Sequence, residues 1–426
     1  MKNTIYKTIF FIVLIFSALN TFAQQDRNVA WVHGLDGNAS SWQHYNQIFD
    51  AERNLNSLRT TYTTDIGITN SANQVITSMN TFYGNGNSNS GANDSQNLGI
   101  GHSMGGLMIR GVDKITGSGT KKFGGYITVT SPNYGAPISN SILDGSVQSA
   151  AANACNKVKD GPIAELLSLP WAISANITTD YLCDIFITND LVQNLQGTPS
   201  TNADLRVGSP TINAINYYTD NNNSSIPRIS IWAEENSPVH WRMFSSSVHN
   251  NDATLVNDIN TARNVYNGFY IYNTAMVGFY ASQGFFLWHK VALHTYRATQ
   301  WKKGRDWIDD SENIWNSLIK TTRSEQETYW ALIDVFGNVW DGDNTTGSLG
   351  LHWEQRTRWV SVNYPSDGLL PQYTQELQGI SSGNRYKVNG ANHLEIRNMT
   401  TDGNAIDETA VEFRKIFDRD DWFETN

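Results

Sequence analysis

Cysteine is nearly absent: of 426 residues only Cys155 and Cys183 are cysteine, and neither stands in a CxxC or metal-type spacing. That excludes a redox or zinc motif built on paired cysteines. An oxidising compartment would favour a disulfide between the two, and backbone geometry decides whether they can meet. Basic charge is also scarce, with 30 Lys and Arg against 40 Asp and Glu and a net charge of −10. Nucleic acid is therefore excluded as a partner, because phosphate neutralisation needs clustered cations. Long apolar runs are lacking too. The longest, Ile9 to Leu19, is too short to cross a bilayer comfortably. It follows a positive start at Lys2 and Lys7 and precedes the small-residue segment Thr21-Phe22-Ala23. This is the layout of a secretory signal peptide over residues 1–23, with the alternative an uncleaved anchor. Loss of Lys2 and Lys7 takes the net charge from −10 to −10 − 2 = −12. The mature chain, from Gln24, is expected to be secreted or periplasmic. No internal repeat or clean linker divides residues 24–426, which read as one domain.

What is present is aromatic and ordered. Aromatic residues make up 12% of the chain, including 14 Trp, which fits a globular body with apolar or sugar-like contacts. Strands are expected at Asn28–Val32, Leu58–Thr63, Leu98–Ile100 and Tyr126–Thr130. Helices are expected over Ser40–Glu52, Ser71–Phe82 and Met104–Ile115. The alternation predicts an α/β fold with a mostly parallel sheet and helices on its faces. Strand character returns at Arg228–Ala233, Arg358–Val362 and Arg385–Val388, and a closing helix runs over Asn404–Ile416. Between these lie two mainly helical insertions, residues 138–226 and 236–355, read as a cap. In the second, Asp258–Ile333 is expected to be helix. Its aromatics, among them Tyr266, Phe269, Tyr272, Phe279, Phe285, Phe286 and Trp288, form either an acyl-chain surface or a second core.

The chemistry concentrates in short motifs. Gly101-His102-Ser103-Met104-Gly105-Gly106 falls between a strand and a helix, as a nucleophile elbow requires. A serine hydroxyl is a weak nucleophile unless it is exposed, aimed and adjacent to a base, and the sharp turn supplies the first two conditions. His33-Gly34-Leu35 follows an early strand. Such a loop donates one backbone N–H to an oxyanion, here from Leu35, while the residue after the nucleophile, Met104, donates the other. Of nine histidines, His393 in Asn392-His393-Leu394-Glu395 is placed after the last expected strand, the usual end of the order Ser, Asp, His. Asp367, in Ser366-Asp367-Gly368-Leu369-Leu370-Pro371, is the expected orienting acid, with Glu234 and Glu235 as rivals.

Taken together, HGL at 33–35, GHSMGG at 101–106, SPNYGAP at 131–137, SDGLLP at 366–371 and NHLE at 392–395 resemble the secreted bacterial triacylglycerol lipase and esterase family of the α/β-hydrolase superfamily. The resemblance covers residues 27–137 and 355–400. It implies Ser103 as nucleophile, His393 as base, Asp367 as acid and Leu35 with Met104 as oxyanion donors, acting on lipid or other acyl esters. Contact with a lipid surface is expected with such a substrate. The same triad serves amide cleavage and acyl transfer to acceptors other than water, which product analysis separates. A binding protein with a decayed site is the third reading, and labelling of the serine separates it. No cofactor is expected. Some relatives hold a structural calcium through an Asp two residues after the catalytic His, where this chain has Glu395. Asp341-Gly342-Asp343-Asn344 matches only half a calcium loop and reads as an exposed turn.

Overall fold

The structure, a computed structural model, describes residues 27–83, 97–117, 122–159, 198–222, 226–235, 252–282, 287–334, 337–339, 351–397 and 407–419. The signal-peptide segment, Cys183, Phe285, Phe286 and the 341–344 turn lie outside these residues. In chain order the first elements are β1 (Arg27–Val32), α1 (Gln43–Arg53), β2 (Leu55–Arg59), α2 (Ile68–Tyr83), β3 (Leu98–His102), α3 (Met104–Thr116) and β4 (Gly125–Val129). Next come α4 (Pro137–Leu143), α5 (Ser146–Lys159), α6 (Pro199–Leu205), α7 (Pro210–Asn221) and β5 (Arg228–Glu234). The remainder is α8 (Asp252–Ser282), α9 (Trp288–Ile319), β6 (Thr322–Ile333), β7 (His352–Asn363), β8 (Arg385–Asn389) and α10 (Glu408–Phe417).

Six strands form one parallel sheet in the order β2-β1-β3-β4-β5-β8, with helices on both faces, the core of an α/β-hydrolase fold. Its strands explain why both faces are covered. Every residue of β3 and β4 is buried, the pattern of parallel strands between two helical layers. Alternate residues of β1 serve opposite cores: Val29 and Trp31 join Tyr45, Phe49, Phe413 and Phe417, while Ala30 and Val32 join Val75, Met104, Leu107 and Met108. The first layer is built from i, i+4 aromatic pairs on α1 and α10, with Phe49 and Phe417 ring centroids 5.1 Å apart and Trp31 to Phe413 at 5.8 Å. From β1 the chain passes to β2 on one side and then to β3 on the other. The order therefore reverses between β1 and β3, and in open parallel sheets ligands bind outside the carboxyl ends of the strands at that point.

Arg110, fully buried on α3, ties the layers together. Its guanidinium donates to Asn133 Oδ1 (3.0 Å), to Asn216 Oδ1 (2.6 Å) and back to the Gly106 carbonyl (3.3 Å). Burial lowers its pKa to about 10, so it stays charged at neutral pH. Arg110→Ala strands these acceptors and is expected to cost about 3 kcal/mol. The check is a lowered urea midpoint with an unchanged slope.

One sequence expectation needs correction in the second insertion. Helix does continue from Asp252, but α9 stops at Ile319, where Lys320 adopts the left-handed conformation at φ 57°. Residues 322–333 then form β6 rather than helix, antiparallel to β7. The stretch is rich in residues that favour helices, and pairing with a distant strand overrides that preference. Arg358–Val362 is strand as expected, and it belongs to β7 in this separate ribbon.

The helices α8 and α9 lie antiparallel, joined by an Asn273 to His294 contact of 2.7 Å and by Phe269 stacked on Trp301 at 4.6 Å. Where they meet the body, Trp301, Trp315 and Ile319 pack with Ile138, Val147, Leu369 and Leu370. The expected aromatic surface is thus divided. Tyr266 is core, Phe269 is half-buried against it, and Tyr272, Phe279 and Trp288 are exposed. Among the described residues no helix is long and apolar enough to cross a membrane.

Candidate active site

Ser103 sits in the turn between β3 and α3 at φ 53° and ψ −129°, a backbone region that non-glycine residues rarely occupy. The turn is tight because three glycines leave no room for side chains. A Cβ on Gly101 would lie 2.4 Å from the Gly105 carbonyl, one on Gly105 would lie 2.3 Å from the Val32 oxygen, and one on Gly106 would lie 1.8 Å from Ser131 Oγ. Gly34 approaches from the loop after β1, where a Cβ would fall 2.7 Å from the Ser103 Cβ. The loop after β1 is thereby pressed against the serine. Among the described residues, neither the Leu35 nor the Met104 amide has a hydrogen-bond partner. Met104 begins α3, whose N-terminal dipole favours negative charge.

His393 Nε2 lies 2.9 Å from Ser103 Oγ, and its Nδ1 lies 2.6 Å from Asp367 Oδ2. The carboxylate accepts, so Nδ1 carries the proton and Nε2 is left to accept from the serine. Asp367 has no exposed surface, and its other oxygen accepts from the Leu369 (3.0 Å) and Leu370 (2.7 Å) amides. The His393 amide also donates to the Asp367 carbonyl at 2.8 Å, which fixes the two backbones as well as the side chains. Trp315 on α9 donates to the Gly368 carbonyl at 2.6 Å, so α9 braces the loop that carries Asp367. The structure thus brings Ser103, His393 and Asp367 into one chain of hydrogen bonds. It does not bring Glu234 there, which ion-pairs with Lys387, while the Glu235 amide donates to Ser366 O at 2.8 Å. Glu395 Oε2 accepts from the Asn392 amide at 3.2 Å. Among the described residues no group of three or more His, Cys, Asp or Glu is arranged to hold a metal ion.

Three residues that support the site were not among its expected members. His102 is buried, and its Nε2–H donates to the His393 carbonyl at 2.7 Å. His33 donates Nδ1–H to the Gly34 carbonyl at 2.9 Å and stacks on Tyr62 with centroids 4.1 Å apart. Tyr62 in turn donates to the His33 carbonyl. GxSxG and HG patterns mark His102 and His33 only as neighbours of the motif, and nothing in the sequence marks Tyr62. His102 holds the backbone of His393, so His102→Ala is expected to misplace the His393 ring relative to Ser103 and, under the function proposed below, to lower kcat about tenfold or more. The check is kcat on a short p-nitrophenyl ester with the pH profile compared.

Burial lowers the pKa of His33 below 6.5, and burial with the neighbouring His393 lowers that of His102 well below it. Both imidazoles are therefore neutral in the fold, whereas the unfolded chain binds protons once the pH falls below about 6.5. Their stabilisation is complete above that pH and declines as pH falls toward the folded-state values. Thermal midpoints should drop between pH 7 and pH 5, and a His102→Gln variant should show a smaller drop.

No family model matches the chain, and no curated protein matches it. Among solved structures it is similar to phospholipase PlaB from Legionella pneumophila, at 12% identity and a TM-score of 0.32, covering 51% of this chain and 41% of that one. It is also similar to an extracellular α/β-hydrolase from a Paenibacillus species, at 12% identity and a TM-score of 0.26, covering 48% of this chain and 76% of that one. An esterase, RhEst1, from Rhodococcus sp. ECU1013 gives 12% identity and a TM-score of 0.29 over 50% of this chain and 74% of that one. The chain spans less than half the length of the phospholipase.

Proposed function

We propose that this protein is a secreted carboxylic-ester hydrolase working through an acyl-enzyme on Ser103. The supporting observation is the unbroken sequence of contacts from Ser103 Oγ to His393 Nε2 at 2.9 Å and from His393 Nδ1 to Asp367 at 2.6 Å. In this reading His393 takes the hydroxyl proton as Ser103 Oγ bonds to the ester carbonyl carbon. The carbonyl pair moves onto oxygen, where the Leu35 and Met104 amides receive it. His393 then returns the proton to the leaving alcohol. Water attacks the acyl-serine, giving its proton to His393, and the carboxylic acid leaves as Ser103 is re-protonated. Asp367 holds the His393 tautomer and stabilises the imidazolium.

Acyl esters of lipids are the proposed substrates, and contact with a lipid surface is supported by Phe279, exposed near the C-terminal end of α8, and Trp288, exposed at the start of α9. The test is hydrolysis of p-nitrophenyl esters from acetate to laurate, alongside a triacylglycerol emulsion and matched anilides. Ester turnover well above anilide turnover is expected, and cleavage of the anilides alone would overturn the assignment. Secretion is checked by N-terminal sequencing of the exported protein, which should begin at Gln24.

A further inference from the structure

The β6–β7 ribbon divides its charge between its faces. Residues opposite one another across an antiparallel ladder share a face, so the even positions of β6 lie with the odd positions of β7. None of those twelve residues is charged, and all but Leu332 are exposed. The reverse face holds every charge of the ribbon and pairs much of it internally, with Arg358 on Glu327 (2.8 Å) and Arg356 on Glu354 (3.0 Å). On the neutral face stand three tryptophans, Trp330 (61% exposed), Trp353 (65%) and Trp359 (71%), beside Gln326, Gln355 and Thr357.

We propose that this face binds a neutral polysaccharide. A pyranose ring offers a flat C–H surface that stacks on indole and a hydroxyl rim that exchanges hydrogen bonds with amides and hydroxyls. It carries no charge and meets none here. Trp330 opposes Gln355, so Trp353 is its diagonal neighbour at about 7 Å, and Trp359 lies about 13 Å further along the strand from Gln355. Several linked sugars would cover that span.

Other occupants fit less well. Nucleic acid and charged peptides require counter-charge that is absent. Hydrocarbon would leave the ribbon's outer backbone edges unsatisfied. A self-interface centres on apolar side chains, whereas most of this face is Ser, Thr, Asn and Gln.

The experiment titrates the full chain with cellohexaose, xylohexaose, mannohexaose and maltoheptaose by calorimetry and tryptophan fluorescence, with phosphatidylcholine vesicles in parallel. At least one oligosaccharide is expected to bind and shift the emission. A Trp353→Ala/Trp359→Ala variant, altered only at exposed positions, should bind at least tenfold more weakly with an unchanged melting midpoint. Ser103→Ala should bind as the wild type does, so this outcome is independent of the ester chemistry. Binding to none of the four, binding unaffected by the double variant, or tryptophan-dependent adsorption to vesicles alone would overturn the proposal.

Discussion

Replacing Asp367 by Asn is expected to lower kcat on a p-nitrophenyl ester by roughly 10⁴-fold, with little change in stability or KM. An amide in that place donates where the carboxylate accepted, so His393 presents a proton to Ser103 Oγ instead of a lone pair. The Leu369 and Leu370 amides can still reach the remaining oxygen, which is why the fold should persist. Glu234→Gln and Glu235→Gln provide the contrast. The His393 ring contacts Asp367 and Ser103 and neither of these glutamates, so both variants should remain within a few-fold of the wild type. An active Asp367→Asn enzyme beside an inactive Glu234→Gln or Glu235→Gln one would move the acid to β5.

The second large effect is expected from a single methyl group. Gly105→Ala places a Cβ 2.3 Å from the Val32 oxygen and 2.5 Å from the His33 oxygen, both of them backbone atoms. No side chain can swing aside, so α3 must separate from β1 by a large fraction of an ångström. The expected loss is about 3 kcal/mol or more, typical of overpacking against rigid neighbours. Displacement of Met104 from Leu35 would also spread the two amides, and a misplacement of that size reduces turnover about 10²-fold. Denaturant melts and kcat of the folded fraction check the two effects separately. A control is available in Gly111→Ala, whose nearest neighbours would lie at 3.6 Å, an ordinary contact.

The sheet core was legible because its signals are local and come in order. β1, β3, β4, β5 and β8 fall where strand patterns stand, and the glycines around Ser103 announce an approach that only glycine permits. The expected second strand, Leu58–Thr63, was displaced, since Thr60 to Thr63 look β-forming yet the ladder with β1 runs only from Leu55 to Arg59. Register belongs to the partner, which the segment itself does not show. The same reason hides the ribbon: β6 has the composition of a helix, and only β7, beyond an intervening stretch, makes it a strand. At the site, Ser103, His393 and Asp367 carry motif signatures. The supporting contacts of His102, Tyr62 and Trp315 come from residues brought together by the fold alone.

One measurement bears most directly on the central claim: treatment with a fluorophosphonate followed by mass spectrometry of the digested protein. Phosphonylation needs an accessible serine oxygen activated by a base beside oxyanion donors, the features that the roles proposed for Ser103, His393, Leu35 and Met104 would supply. The expected result is one adduct on the peptide containing Ser103, at a rate that falls sharply in His393→Ala and vanishes in Ser103→Ala. An unlabelled Ser103 in folded protein, or a stoichiometric adduct on another serine, would contradict it.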